Sequence, residues 1–282
     1  MHPSSSPFAD DSTEPKPPRP LPPGVRMIAD CEYSAIGHPR QRLDLYLPES
    51  VPHPLPVILW IHGGGWVTGD KVGGPAIQFA TKGFAVASMS YRYSRHATFP
   101  AQIHDCKAAV RWLRAHAQIH SLDIDSIGVW GASAGGHLAS MLGLTADNEL
   151  LEGTLGNSTQ SSAVQAVVDW FGPTDFMTLG PRDTRTQFLG GDALAHPDKA
   201  NAASPIRFVT DRACPFFIVH GDQDPLVHYA QSETFAKALE HARVEITFVT
   251  ISGGRHGGSK FSRPDEIARI EAFFNKHLKP AR

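Results

Sequence analysis

The sequence predicts an α/β fold, a mostly parallel eight-stranded sheet with helices on both faces. Three observations carry that expectation. Short, continuous apolar runs recur along the chain, as in strands covered on both sides. Segments with helical spacing separate them. The first two strand-like segments lie close together with turn signals between, as in an antiparallel opening pair.

Residues 1–24 hold Pro15, Pro17, Pro18, Pro20, Pro22 and Pro23 and no apolar period, so they read as an extended tail before a domain spanning 25–282. Strands are expected from about Val25 and over Arg42–Leu47, where apolar and polar residues alternate. Val57–Ile61 and Phe84–Met89 are continuous apolar runs. A helix fits Ala101–Ala117, with Ile103, Ala108, Val110, Leu113 and Ala117 at helical spacing. Strand Ser126–Trp130 leads to a small-residue helix, Gly136–Leu144. Strands Val164–Phe171 and Phe216–His220, helix Gln231–His241, strand Val244–Val249 and helix Asp265–His277 close the chain. Residues 172–212, rich in Pro, Asp, Arg and Gly, read as a small lid or pocket wall over the carboxyl ends of the strands, where doubly wound sheets bind ligands.

Hydrophobic residues make up 41% of the chain, enough to fill a large core, and the formal net charge of −2 leaves no electrostatic footprint for nucleic acid or an anionic membrane. No apolar run is long enough to span a bilayer. The N-terminus lacks the apolar core of a secretory signal, so the chain as written reads as cytoplasmic, as would one from which a signal had been removed. A small molecule is the expected partner, and nothing in the sequence sets an oligomeric state. Cys31, Cys106 and Cys214 form no CxxC pair and cannot all be bridged; free thiols are the simplest reading, with a Cys31–Cys106 or Cys106–Cys214 bridge left open.

The chemistry centres on Gly131-Ala132-Ser133-Ala134-Gly135, which follows an apolar strand and precedes a helix. A Gly-x-Ser-x-Gly match alone is weak. In this setting the small residues permit a sharp strand-to-helix turn that exposes the Ser133 hydroxyl as a nucleophile. Upstream, His62-Gly63-Gly64-Gly65-Trp66 follows another strand. Its glycines let main-chain N–H groups approach a developing oxyanion, so Gly64 and Gly65, with Ala134 after the serine, are the expected donors. Of fifteen histidines, His256, in Gly253-Gly254-Arg255-His256-Gly257-Gly258 after the last strand, fits the position of the general base. His62 and His137 are expected to brace loops, His220 to be buried and hydrogen-bonded, and His277 to lie on the surface. The orienting acid is expected in His220-Gly221-Asp222-Gln223-Asp224-Pro225, with Asp224 favoured by its spacing and the following proline. Asp222 is the alternative, otherwise bonding local amides, and Asp175 is expected to cap a helix at the start of the lid. There is no HExxH pattern and no Cys/His cluster with zinc spacing, so neither metal nor cofactor is expected.

Taken together, His62–Trp66, Gly131–Ala139 and His220–Val227 resemble the bifunctional feruloyl/acetyl-xylan esterases, a group similar to the hormone-sensitive-lipase-like bacterial esterases. The resemblance runs from about residue 26 to 278 and implies the α/β-hydrolase fold, a Ser133–His256–Asp224 triad and hydrolysis of short-chain acyl or aromatic (hydroxycinnamoyl) esters, with acylated plant polysaccharide fragments among the candidate substrates. Two departures stand out. The Pro-rich residues 1–24 replace a helical N-terminal cap, and His228 occupies a position where relatives often carry proline. Trp66, Trp170 and Phe171 are candidates for the acyl or alcohol pocket, against the alternative of core packing. Amidase, aryl formamidase or peptidase chemistry on the same triad is the rival reading, and a non-catalytic binding module would be expected to lack a triad member.

Overall fold

Every residue of Leu55–Ile61 is buried, and its side chains divide by parity between two cores. Val57, Leu59 and Ile61 join one, with Ile103, Val110, Leu138 and Phe235; Ile58 and Trp60 join the other, with Phe79, Ile270 and Phe274. A strand whose successive side chains point to opposite faces needs apolar residues at every position when both faces are covered. The computed structural model describes residues 20–50, 53–146 and 148–279, so most of the Pro-rich tail lies outside the described residues.

The strands are β1 (Val25–Glu32), β2 (Arg42–Pro48), β3 (Leu55–Ile61), β4 (Ala85–Met89), β5 (Leu122–Ala132), β6 (Ala166–Trp170), β7 (Phe216–Gly221) and β8 (Ile246–Ile251). They form one sheet in the order β1-β2-β4-β3-β5-β6-β7-β8. β1 and β2 pair antiparallel, as do β2 and β4, and the remaining pairs are parallel. The helices are α1 (Ala101–Ala115), α2 (Ala117–His120), α3 (Ala134–Leu144), α4 (Glu149–Glu152), α5 (Asp183–Leu189), α6 (Pro197–Ala202), α7 (Ala230–His241) and α8 (Pro264–Leu278). α1, α3 and α7 contribute to the first core, while α8 and the 3₁₀ segment Pro75–Lys82 cover the opposite face.

The expected elements are present, with shifts that have local causes. Phe171 has φ 45°, which ends β6 at Trp170. Arg243 has φ 63°, so the chain is still turning at Val244, and β8 begins at Ile246. His116, at ψ 10°, separates the expected single helix into α1 and α2. The polar side of α1 is buried too: Lys107 and Arg111 are fully covered and both pair with Glu152 of α4. Burying two cations requires such a partner, and Glu152 answers both.

Residues 172–212 hold α5, α6 and the 3₁₀ turn Pro205–Phe208, anchored by the buried Phe188, Leu189 and Ala200. No helix begins at Asp175; its carboxylate accepts from the Met177 amide at 3.0 Å in a turn and lies 3.8 Å from Arg207. His277, expected on the surface, has a side chain only 12% exposed, because it packs on Phe273 of its own helix and lies 3.2 Å from Glu245, the residue before β8. The three cysteines are unbridged.

Candidate active site

β5 delivers Ser133 to the carboxyl edge of the sheet, and α3 starts at the next residue, earlier than the expected Gly136. The turn is tight enough to hold Ser133 at φ 56°, ψ −120°, a strained conformation for a residue with a Cβ. Its neighbours must be small. A Cβ on Gly135 would lie 2.1 Å from the Ile61 carbonyl oxygen, so only glycine lets α3 pass this close to β3. The result aims Oγ and the first turn of α3 into the same space.

Across that space, the loop after β8 brings His256 to Ser133, with Nε2 2.8 Å from Oγ. On its other side His256 Nδ1 is 2.6 Å from Asp224 Oδ2. A carboxylate only accepts, so Nδ1 carries the proton and Nε2 is left to accept from the serine hydroxyl. Asp224 has no exposed side-chain surface and gathers further donors: His220 Nε2–H at 3.1 Å, and the amides of Leu226 at 2.8 Å and Val227 at 3.0 Å. Burial pushes this carboxyl up, but hydrogen bonds from His220, His256, Val227 and Leu226 outweigh it and hold the group well below the usual carboxylate range. It is therefore a fixed anion behind the imidazole. The Asp222 carboxylate faces away and accepts from the Gly253 amide at 2.8 Å, the local role considered for it. His228 is exposed, and the acid turn closes without a proline there.

The glycine loop after β3 forms the opposite wall. Gly64 and Gly65 have φ 104° and 59°, and a Cβ on Gly64 would sit 2.1 Å from the Thr68 carbonyl oxygen. Among the described residues, the amides of Gly64 and Gly65 have no acceptor within the protein. Ala134 is the first residue of α3, whose N–H has no acceptor inside its own helix. His62 braces this loop: Nδ1–H donates to the Gly63 carbonyl at 2.7 Å, and the ring stacks on Tyr91, whose hydroxyl donates to the His62 carbonyl at 3.0 Å. His137 braces it from behind. Burial pushes its imidazole down to about 4, so it is neutral, donating to the Ala203 carbonyl at 2.7 Å and accepting from Trp66 Nε1 at 3.3 Å.

These walls enclose a cavity of about 350 Å³ that Ser133 and His256 both line, with Trp66, Leu226 and Val227 among its apolar surfaces. Of the three aromatic candidates, only Trp66 is at this cavity, held by stacking on Phe188 at 4.2 Å. Trp170 is instead in the opposite core, 4.9 Å from Trp130 and 6.4 Å from Trp60, because strand parity turns it away from α3. Phe171 lies under the histidine loop, 4.7 Å from the His256 ring, and supports it without reaching the cavity. A larger cavity of about 800 Å³ at the amino ends of β3 and β5, between Pro54, Lys82, Leu122 and Leu278, holds no serine or cysteine.

Four further residues support or line the site in ways not expected from the sequence. His220 was recognisable as buried, and its place four residues before Asp224 is the signal that ties it to the acid. Asp169, fully buried in β6, accepts from the Ser140 hydroxyl of α3 at 2.9 Å and the Gly172 amide at 2.8 Å; a lone acid inside an apolar strand was its signal. Burial pushes it up to about 6 against those hydrogen bonds. Arg182 and Arg185 reach the cavity only because residues 172–212 fold back over it. Among the described residues there is no cluster of three metal-ligating side chains, and no helix is long and apolar enough to cross a membrane.

Comparison with known proteins bears on the family and the fold. The BD-FAE family profile matches residues 43–239. Esterase LipC of Mycobacterium tuberculosis is 32% identical over 231 residues, covering 78% of this chain and 57% of the relative. Esterase LipQ of the same organism is 30% identical over 240 residues, covering 81% and 56%. The chain thus spans a little over half the length of these curated relatives. Among solved structures, a truncated carbohydrate esterase from gut microbiota superposes with TM-score 0.85 at 31% identity, over 90% of this chain and 97% of the other. The bifunctional GH43-CE protein of Bacteroides eggerthii gives 0.83 at 32% identity, over 89% of this chain and 35% of its own. With its sheet order, its strained serine turn and these relatives, the chain belongs to the BD-FAE family and has the α/β-hydrolase fold.

Proposed function

We propose that this chain is a serine carboxylesterase acting on small-molecule esters through an acyl-enzyme on Ser133. The observation that carries the reading is the unbroken relay from Ser133 Oγ through His256 to the buried Asp224, at 2.8 and 2.6 Å. His256 Nε2 accepts the hydroxyl proton as Oγ attacks the ester carbonyl. The oxyanion forms against the unpaired amides of Gly64, Gly65 and Ala134, a preorganised set in which one donor is typically worth about 3 kcal/mol. The imidazolium, held by Asp224, then protonates the leaving alkoxide. Water attacks the acyl-enzyme by the same route in reverse, with His256 again as base.

The cavity volume, about 350 Å³, lies at the low end for ligand sites and suits a short acyl chain or a single aromatic acyl group, the hydroxycinnamoyl esters included. The name of one structural relative, a carbohydrate esterase from gut microbiota, supports acylated polysaccharide fragments as substrates. Turnover of 4-nitrophenyl acetate, methyl ferulate and N-formylkynurenine tests both levels. Esters turned over well above the formamide are the expected result, and methyl ferulate turnover supports the aromatic acyl reading. A formamide rate far above every ester would overturn the esterase assignment.

A further inference from the structure

The sequence is nearly balanced in charge, yet the cavity around Ser133 is one-signed. Arg182 and Arg185 line it and no carboxylate does. Arg185 is half-buried and fixed by main-chain carbonyls: Nη1 donates to Leu179 at 2.7 Å and Gly180 at 2.9 Å, and Nη2 to Leu226 at 2.7 Å. Those bonds hold the guanidinium in place without cancelling its charge. Among the described residues neither arginine has an acidic partner within ion-pair distance. Arg182 is exposed and lines the cavity. Burial, and then the neighbouring Arg182, push Arg185 down to about 10.

Two like charges at one mouth repel each other, and an anion bound between them is attracted to both and offsets that repulsion. A guanidinium fork suits a carboxylate, which it can bind through two parallel N–H donors. Thr184, between the two arginines in sequence, lines the same cavity as Ser133, and a Cβ on Gly65 would meet its side chain at 3.2 Å, so the pair stands beside the reacting centre, not on a remote surface. We infer that the preferred ester carries a carboxylate near its scissile bond, bound by Arg182 with Arg185 fixed behind it. This rests on Ser133 being the esterase nucleophile.

The test is a ratio measured within each protein. kcat/KM is determined for the unmodified chain, Arg182→Gln and Arg182→Glu on two matched pairs, corrected for spontaneous hydrolysis. 4-Acetoxybenzoate against 4-acetoxybenzamide puts the charge on the alcohol side; the 4-nitrophenyl half-ester of succinic acid against 4-nitrophenyl butyrate puts it on the acyl side. For at least one pair, the anionic-to-neutral ratio of the unmodified chain should exceed that of Arg182→Gln by about fivefold, as for one partly exposed charge pair. Arg182→Glu should lower the ratio further, and salt raised to about 0.5 M should shrink it in the unmodified chain. The responding pair identifies the side that carries the carboxylate. Equal ratios in all three proteins, with the esters turned over, would overturn the anion inference and leave the esterase reading standing. No turnover of any ester by the unmodified chain would overturn both.

Discussion

Asp224→Asn isolates the contribution of the buried acid. In the native chain four donors converge on its carboxylate: His256 Nδ1–H, His220 Nε2–H and the amides of Leu226 and Val227. Asparagine keeps one acceptor oxygen and turns the other into a donor, so one side of this convergence must fail. If the new NH₂ faces the histidines, His256 has to accept at Nδ1 and carry its proton on Nε2. That directs an N–H, not a lone pair, at Ser133 Oγ. If the NH₂ faces Leu226 and Val227 instead, two amides lose their acceptor, at about 1–3 kcal/mol each. The first orientation keeps the fold and loses the base. A tautomer error of this kind in a well-studied serine protease lowers kcat by about 10⁴. At about 1.4 kcal/mol per tenfold, a loss of 10³–10⁴ here corresponds to about 4–6 kcal/mol of transition-state stabilisation. The assay is steady-state kcat on 4-nitrophenyl acetate, with Asp222→Asn beside it, since among the described residues Asp222 accepts only from the Gly253 amide. Asp222→Asn should stay within about threefold of the unmodified chain, as expected for a polar contact on an exposed loop. An Asp224→Asn rate within tenfold of the unmodified chain, or an equal loss in Asp222→Asn, would refute the reasoning.

Other perturbations follow from the same geometry. Gly64→Ala places a Cβ 2.1 Å from the Thr68 carbonyl oxygen at φ 104°. The loop must shift, and kcat/KM on a neutral ester should fall about 100-fold or more, as for loss of an oxyanion donor; a rate near the native one would remove this loop from the mechanism. His220→Phe removes one buried donor from Asp224 and the partner of the Ser232 hydroxyl. kcat should drop about tenfold with KM little changed, the pattern of a positioning residue acting through the acid. Asp169, with its carboxyl raised to about 6, binds its proton more tightly in the folded than in the unfolded chain. Its contribution to stability is therefore greatest below about pH 4, falls as pH rises through about 4 to 6 and stays lower above. Asn at this position can still accept from the Gly172 amide and donate to Ser140 Oγ. Urea unfolding at pH 8 should find Asp169→Asn more stable by about 1–3 kcal/mol, with the difference gone near pH 4. A variant less stable at pH 8 would contradict that sign.

What the sequence disclosed and what it hid have different physical origins. The apolar run of β3 is legible because a doubly covered strand can hold little else. The turn at Ser133 is legible because its crowding admits only small neighbours, and chain order then singles out His256 from the other histidines. Asp224 separates from Asp222 only once the fold decides which carboxylate faces inward; adjacent turn residues carry the same chemistry in one dimension. For Trp170 and Phe171 the sequence leaves pocket and core packing open, because position beside a site strand does not fix the direction of a side chain. Parity sends Trp170 to the core of Trp60 and Trp130 and leaves Asp169 facing α3. Arg182 and Arg185 were invisible as site residues because they enter through the return of 172–212 over the sheet, a long-range contact with no local pattern.

The central claim is that Ser133 is the nucleophile, and covalent labelling tests it most directly. The full chain is treated with a fluorophosphonate, its intact mass recorded and the labelled peptide sequenced. One adduct, on Ser133, absent from a folded Ser133→Ala variant, is the predicted result. An adduct on another residue, or labelling that persists in Ser133→Ala, would contradict the account.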